Sequence, residues 1–443
     1  MSARPGWISA SLGGLATRMA EVGAKLALYM LAARLLSEEE CGVLFLSLTW
    51  VLLAGTIARL GMERALSRLI PAELALCQGA TARRALIKGF LIVTTLGLVV
   101  GLITVLAAPF AADTLFHAAA ALPSLRACGV VIPVLTQAVT LGFVLVGFHR
   151  PVLSQILQNL LWPIFMLAGV LLGLRDAASI MLLMAASQLI AIAVALIAVI
   201  GHRQELRHDE PLPAEAEKLP SLRETALPLY VVELVQVSIP TLPVLILGVF
   251  ADPAAVSSFS IALRASMLVL VVLLSLSMVA SPRFAALHRQ GDWAQLAAVN
   301  RRTQALGAVL GGAVCLVLAA GAPILLTLIG RNFAGGAPAL LVLLAGQAVN
   351  ALYAGQDGLL AMTGQGNALR LLNLVQVAVM IVLSFTLIPY FGAVGAAIVT
   401  AVVTAQGAVG TAMAVKTYYP PAAPRLAPAV PGSLRHLFLR LSA

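Results

Sequence analysis

Residues 11–35 read SLGGLATRMAEVGAKLALYMLAARL, and residues 36–61 continue LSEEECGVLFLSLTWVLLAGTIARLG. Two long apolar runs are parted only by a short acidic turn. A helix that crosses a bilayer needs about 20 mainly apolar residues, so this passage reads as a helical hairpin through a membrane. Arg18 and Lys25 lie inside the first run, and Arg264 lies inside a later one. A cation at helix-centre depth costs about 2.5–3.5 kcal/mol on insertion scales. Such residues face a wet cavity, a partner or a ligand rather than lipid. Cations in a cavity would attract an anion.

The rest of the chain repeats this pattern. It is 61% hydrophobic and 10% charged, with mean hydropathy +1.01. Soluble chains carry roughly 45–50% apolar and about 25% charged residues. The composition therefore predicts an all-α polytopic membrane protein. Twelve candidate spans can be read, at 11–35, 42–61, 88–111, 127–148, 153–174, 179–200, 226–250, 255–280, 304–328, 337–361, 370–390 and 393–415. They divide into an N-terminal six-helix bundle (1–201), a polar, proline-containing linker (202–225), a C-terminal six-helix bundle (226–415) and a tail (416–443). The tail's last residues, LRHLFLRL, read either as a basic amphipathic turn or as a frayed end.

Lys and Arg alternate between loops. Arg64, Arg68, Arg83, Arg84, Lys88, Arg150, Arg203 and Arg207 fall on one side, as do Arg283, Arg289, Arg301, Arg302, Arg370 and Lys416. The opposite loops hold only Arg34, Arg126, Arg175 and Arg331, together with Glu38, Glu39, Glu40, Asp113, Asp176 and Asp252. Positively charged loops stay cytoplasmic, which places both termini there. The same asymmetry accounts for a pI near 10 without a nucleic-acid partner. Cys41, Cys77, Cys128 and Cys315 lack metal-ligand spacing and read as packing residues. There is no phosphate-binding loop, zinc motif or nucleophile motif, so the chain is not expected to be an enzyme and no cofactor or metal is implied.

The two halves look duplicated. LLSEEECGVLFLSL (Leu35–Leu48) has a counterpart in VFADPAAVSSFSIAL (Val249–Leu263), and beyond one inserted residue the same offset sets Arg68 opposite Arg283. Both arginines follow the second span of their half, which makes them candidates for a gate or cytoplasmic mouth. Paired repeats imply two bundles rocking about a central site.

Several segments together resemble the polysaccharide-transporter branch, which includes O-antigen flippases, of the multidrug/oligosaccharidyl-lipid/polysaccharide (MOP) flippase superfamily. They are LAARLLSEEECGVLFLSLTW with ARLGMERALSRLIP, SPRFAALHRQGDWAQLAAVNRR, IGRNFAGGAPALLVLLAG with LAMTGQGNALR, and LIPYFGAVGAAIVTAVV. The resemblance implies a fold like that of the superfamily's multidrug (MATE) members. It also implies export of an undecaprenyl-pyrophosphate-linked oligosaccharide from the inner leaflet of a bacterial inner membrane, beside polysaccharide polymerases and glycosyltransferases. Members often carry an aspartate in the seventh span where this chain has Pro243, so any coupling role of that acid does not carry over. The coupling ion, H⁺ or Na⁺, is left open. Twelve spans rather than fourteen argue against a peptidoglycan-precursor flippase.

Within that expectation Arg18, Lys25 and Arg264 are the candidate pyrophosphate ligands, because guanidinium and ammonium groups pair with phosphate. Glu21 shares the helix face of Arg18 and Lys25. The alternative is an intrahelical ion chain that neutralises itself. Arg264 has its own alternative, a buried pair with Glu233 or Asp357. Gln347, Asn350 and Asp357 read as one polar stripe for sugar contacts, or as interhelical hydrogen bonding. Glu21, Glu233 and Asp357 are the candidate ion-coupling or salt-bridge carboxylates. Gln155, Gln158 and Asn159 read as surface capping, and Pro240 with Pro243 as a kink or hinge. Two rival functions remain: a cation-coupled multidrug exporter of the same superfamily, and a membrane polysaccharide polymerase or ligase.

Overall fold

A triplet of glutamates starts the first well-defined hairpin. In the computed structural model, which describes residues 5–207, 209, 221–329 and 336–419, α1 (Pro5–Leu35) turns into α2 (Glu38–Arg59) at Ser37. Ser37 Oγ accepts from Glu40 N at 3.2 Å. Glu38, Glu39 and Glu40 fill the first turn of α2, where carboxylates suit the helix dipole. Glu40 also reaches the start of α8 (Ala177–Gly201), accepting from Ala177 N at 2.7 Å. Asp176 caps the same helix through Ser179 N at 2.8 Å. Hydrogen bonding from Ser179 holds the Asp176 carboxyl below its ordinary range.

The described residues are almost wholly helical, with one isolated bridge between Gln78 and Asp209 and no extended sheet. They form two compact units. The first comprises Met1–Thr241 with Asp252–Ser257. It contains α1, α2, α3 (Met62–Ala75), α4 (Gly79–Phe110), α5 (Ala121–Gly147), α6 (Pro151–Gln155), α7 (Leu161–Leu171), α8 and the start of α9 (Leu222–Phe250). Helix α5 packs against α2, α3, α4 and α8. Its Leu141 and Leu145 meet Leu66 and Ile70 of α3 and Ala191 and Ala195 of α8. Helices α4 and α5 touch through glycine, since a Cβ on Gly101 would lie 2.5 Å from Gly129 O.

Helix α3 occupies a stretch that the sequence pattern assigns to a loop. Met62, Ala65, Leu66, Leu69 and Ile70 are buried at helical spacing, while Arg68 is exposed. This amphipathic stripe is too short to span a bilayer. It lies against the bundle, and α4 begins at Gly79 rather than at 88. A left-handed corner at Leu60 and Gly61 separates α2 from α3. A Cβ on Gly61 would sit 2.5 Å from Ala226 O of α9, so the corner is also a point of close backbone approach.

The second unit comprises Leu242–Ala251 and Ser258–Ala443. It holds the rest of α9, most of α10 (Pro253–Gln290), and α11 (Trp293–Ile329), α12 (Ala337–Leu352), α13 (Gln356–Met362) and α14 (Gly366–Tyr418). Helices α10 and α11 run past their apolar spans and meet in a tight turn at Gly291. Helices α12 and α13 form a broken span bent by 47°.

Among the described residues nine helices are long and apolar enough to cross a membrane, or ten if the bent pair is one span. The expected count was twelve. The difference has two sources. Helix α1 carries Arg18, Glu21, Lys25 and Arg34, too many charges for an apolar window. Helix α14 is 53 residues long and is divided by non-helical Gly392 at φ 52° and ψ −129°. Residues 208 and 210–220 of the expected linker, the tail's LRHLFLRL and Arg331 lie outside the described residues.

Candidate functional site

The spacing of Arg18, Glu21 and Lys25 places all three on one face of α1, and the structure closes them into a cluster. Glu21 Oε1 accepts from Lys25 Nζ at 2.7 Å, and Oε2 lies 3.5 Å from Arg18 Nη1. Gln155 Nε2 donates to Glu21 Oε2 at 3.3 Å. Lys25 Nζ stands 5.4 Å from the ring centroid of Trp162 on α7, within cation–π range. The Glu21 side chain is only 7% exposed, while Lys25 is 26% and Arg18 54% exposed. The acid is thus inside and both cations reach outward. Two cations against one carboxylate leave one positive charge. Lys and Arg present three and five N–H donors, and Glu21 engages few of them.

A π-helical turn at Ile156–Leu160 explains why Gln155 belongs to this cluster. In a regular α-helix Gln155 and Gln158 would share a face. Here Gln155 meets α1, while Gln158 lies over Gly142 of α5 and donates to Ser154 Oγ at 2.7 Å. The surface-capping reading is therefore replaced for Gln155 by a contact with Glu21. Asn159 stays half-buried within the π turn. Such turns often accompany functional sites.

A second charged group flanks the Gly61 corner. Arg59 Nε donates to Glu63 Oε1 at 3.1 Å, and Arg59 Nη2 to Thr56 Oγ1 at 2.9 Å. Glu63 is 1% exposed. Arg64 pairs with Glu233 of α9 and lies over the Phe143 ring. Glu233 is thus a salt-bridge residue, with Arg64 as a partner. Sequence reading missed Arg59 and Glu63. Their i, i+4 spacing is visible in the sequence, but Gly61 reads there as the end of a span with a loop beyond it.

In the second unit Arg264 is half-buried, and its Nη1 donates to Ser260 O at 3.2 Å. Ser260 and Ser266 are fully buried nearby on α10. Asn350 Nδ2 donates to Gln347 Oε1 at 3.3 Å on α12. Asp357 does not extend this stripe, because the break at Gly355, with φ 82°, puts it on α13. Arg283 is exposed on the continuous α10, whereas its repeat counterpart Arg68 is exposed on the separate α3. Helix α9 runs through Pro240 and Pro243 without interruption.

Residues 4–288 match the sequence profile of a family described as polysaccharide biosynthesis protein. The chain belongs to this family. No curated protein sequence matches it significantly. Its fold is that of the MOP superfamily. An inward-facing multidrug resistance MATE transporter superposes with TM-score 0.72 at 14% identity, covering 93% of this chain and 99% of the other. The lipid II flippase MurJ in an inward closed conformation gives 0.64 at 12% identity, over 92% and 87%. A MOP superfamily transporter from Pyrococcus furiosus gives 0.56 at 14%, over 92% and 94%. The resemblance read from the sequence motifs therefore holds: this polysaccharide biosynthesis family member is a multi-pass membrane protein with a transporter fold.

Proposed function

We propose that the protein is a flippase that moves an undecaprenyl-pyrophosphate-linked oligosaccharide from the cytoplasmic to the outer leaflet of a bacterial inner membrane by alternating access. The observation that carries this reading is the α1 cluster, in which Lys25 and Arg18 keep outward-facing donors around a buried, already bonded Glu21. A pyrophosphate supplies the negative charge this group lacks. Membership in a polysaccharide biosynthesis family supports a glycan cargo, and a lipid II flippase with a related fold supports a lipid-linked one. Arg264 is assigned a second phosphate contact, and Gln347 and Asn350 the sugars. The loop charges favour cytoplasmic termini. Polysaccharide polymerases and glycosyltransferases are the partners this cargo requires.

A multidrug exporter would hold cationic drugs with carboxylates. Here Glu21, Glu63 and Glu233 are each already paired with an arginine or lysine, which favours the anionic cargo. The test is translocation of the lipid-linked glycan in proteoliposomes by R18Q/K25Q. Loss of about tenfold or more is expected from charge-assisted contacts of about 1.5–3 kcal/mol each. Unimpaired translocation would reject the pyrophosphate assignment.

A further inference from the structure

One end of the second unit carries a ring of cations that the proposed transport does not use. The last turns of α10, the first turns of α11, α13 and both ends of α14 converge on Phe284, Leu296, Leu359, Leu360 and Val415. Six basic residues flank this convergence. Arg283 precedes Phe284, Arg370 follows Leu369, Lys416 follows Val415, and Arg289 follows His288. Arg301 and Arg302 come just after Val299, which packs on the same cluster. All six side chains are exposed. Among the described residues none of them forms an ion pair, which is equally true of the exposed Arg68, Arg83 and Arg150 of the first unit.

The carboxylates at this end do not neutralise the ring. Asp292 is spent on capping α11, accepting from Gln295 N at 2.9 Å. Asp357 is the second, so six cations face two acids. Between the cations sits an aromatic trio. Trp293 stacks on Tyr419 at 5.8 Å between centroids, and His288 meets their edges at 5.4 and 6.1 Å. Trp293 is largely exposed. Trp and Tyr rings settle at the headgroup level of bilayers. Farther along, α11 presents exposed Leu306, Val309 and Leu310, and α14 exposed Leu374 and Val375. A phosphate at the ring would therefore have apolar surface beside it for an acyl chain.

We propose that this rim is a docking surface for anionic phospholipid. The cations take the headgroup phosphate, Trp293 and Tyr419 sit against the glycerol region, and the apolar flank of α11 takes the chain. Arginine suits the phosphate because it pairs bidentately and stays charged. A soluble anion would use the ring but not the flank. Clustered basic residues beside membrane helices attract anionic lipid. Here the aromatic trio beside the cations localises that attraction to this rim.

The experiment is native mass spectrometry of the full chain released from nanodiscs of equal phosphatidylglycerol and phosphatidylcholine. Wild type should retain phosphatidylglycerol preferentially. R283Q/R289Q/R301Q/R302Q should lower that preference roughly tenfold, and R370Q/K416Q should lower it in the same direction. R83Q/R150Q/R203Q, on the first unit, should leave it unchanged. Size-exclusion profiles and melting temperatures verify that each variant is folded. An unchanged preference in both second-unit variants would overturn the proposal, as would an equal loss in the first-unit variant. Displacement of the lipid by stoichiometric inorganic phosphate would also overturn it, indicating an anion site instead. Retained lipid preference with loss of a co-purifying acidic protein would point to a protein surface and reject lipid docking.

Discussion

A buried carboxylate between two cations sets the character of α1. Glu21 orients Lys25 and Arg18 and receives Gln155. Glu21→Gln would leave the two cations side by side without their counter-charge. It should lower stability by about 1–3 kcal/mol, read as a lower melting temperature in detergent. Lys25→Gln removes an outward-facing charge and should alter melting far less than translocation. The Arg59–Glu63 pair behaves differently, because it is deep and makes its bonds within the bundle. Arg59→Ala strands Glu63 and should cost about 3–5 kcal/mol, whereas R59M/E63L should cost much less. Equal losses for the single and double variants in thermal denaturation would refute that view. The cluster's residue types and spacing could be read from the sequence. Its fourth member, Gln155, could not, because the π turn that aims it depends on how α6 and α7 lie on α1.

Corners and breaks decide how the helices differ from a plain set of spans. Gly61 combines φ +73° with a close approach to α9. Gly61→Ala should therefore destabilise by about 1–3 kcal/mol, with loss of the α2–α3 corner visible as faster hydrogen exchange in α3. A variant melting like wild type would contradict the assigned contact. The start of the linker is tied down in a similarly local way. Asp209 accepts from Thr81 N and Thr81 Oγ1, each at 3.0 Å, and from Arg84 at 3.1 Å. These bonds, led by that from Thr81 N, hold its carboxyl below the usual range. A lowered pKa means the tether is present above the ordinary Asp value of about 3.9 and fails as pH falls through the lower native value. At neutral pH Asp209→Asn should raise protease cleavage of the linker, and wild type should show the same sensitivity only on acidification below about pH 4. Apolar periodicity revealed the long helices. It did not reveal α3, whose buried stripe follows an arginine-rich corner, nor the break at Gly355, where φ is +82° and a Cβ would lie 2.8 Å from Thr303 Cγ2.

At the scale of the whole molecule, a polysaccharide biosynthesis family member with a MOP-superfamily fold carries two candidate faces. One is the α1 cluster of the first unit, proposed to recognise pyrophosphate. The other is the basic, aromatic rim of the second unit, proposed to hold anionic lipid. The sequence revealed the membrane class and superfamily because hydropathy and motif order act over many residues. Pairings such as Arg64–Glu233 were hidden because their partners lie far apart along the chain. The most direct measurement is translocation of an undecaprenyl-pyrophosphate-linked glycan in proteoliposomes by wild type and by R18Q/K25Q/R264Q at matched, folded protein. Pyrophosphate recognition predicts a loss of at least about tenfold in the triple variant, with substrate binding weakened in parallel. Full translocation by the triple variant would contradict it.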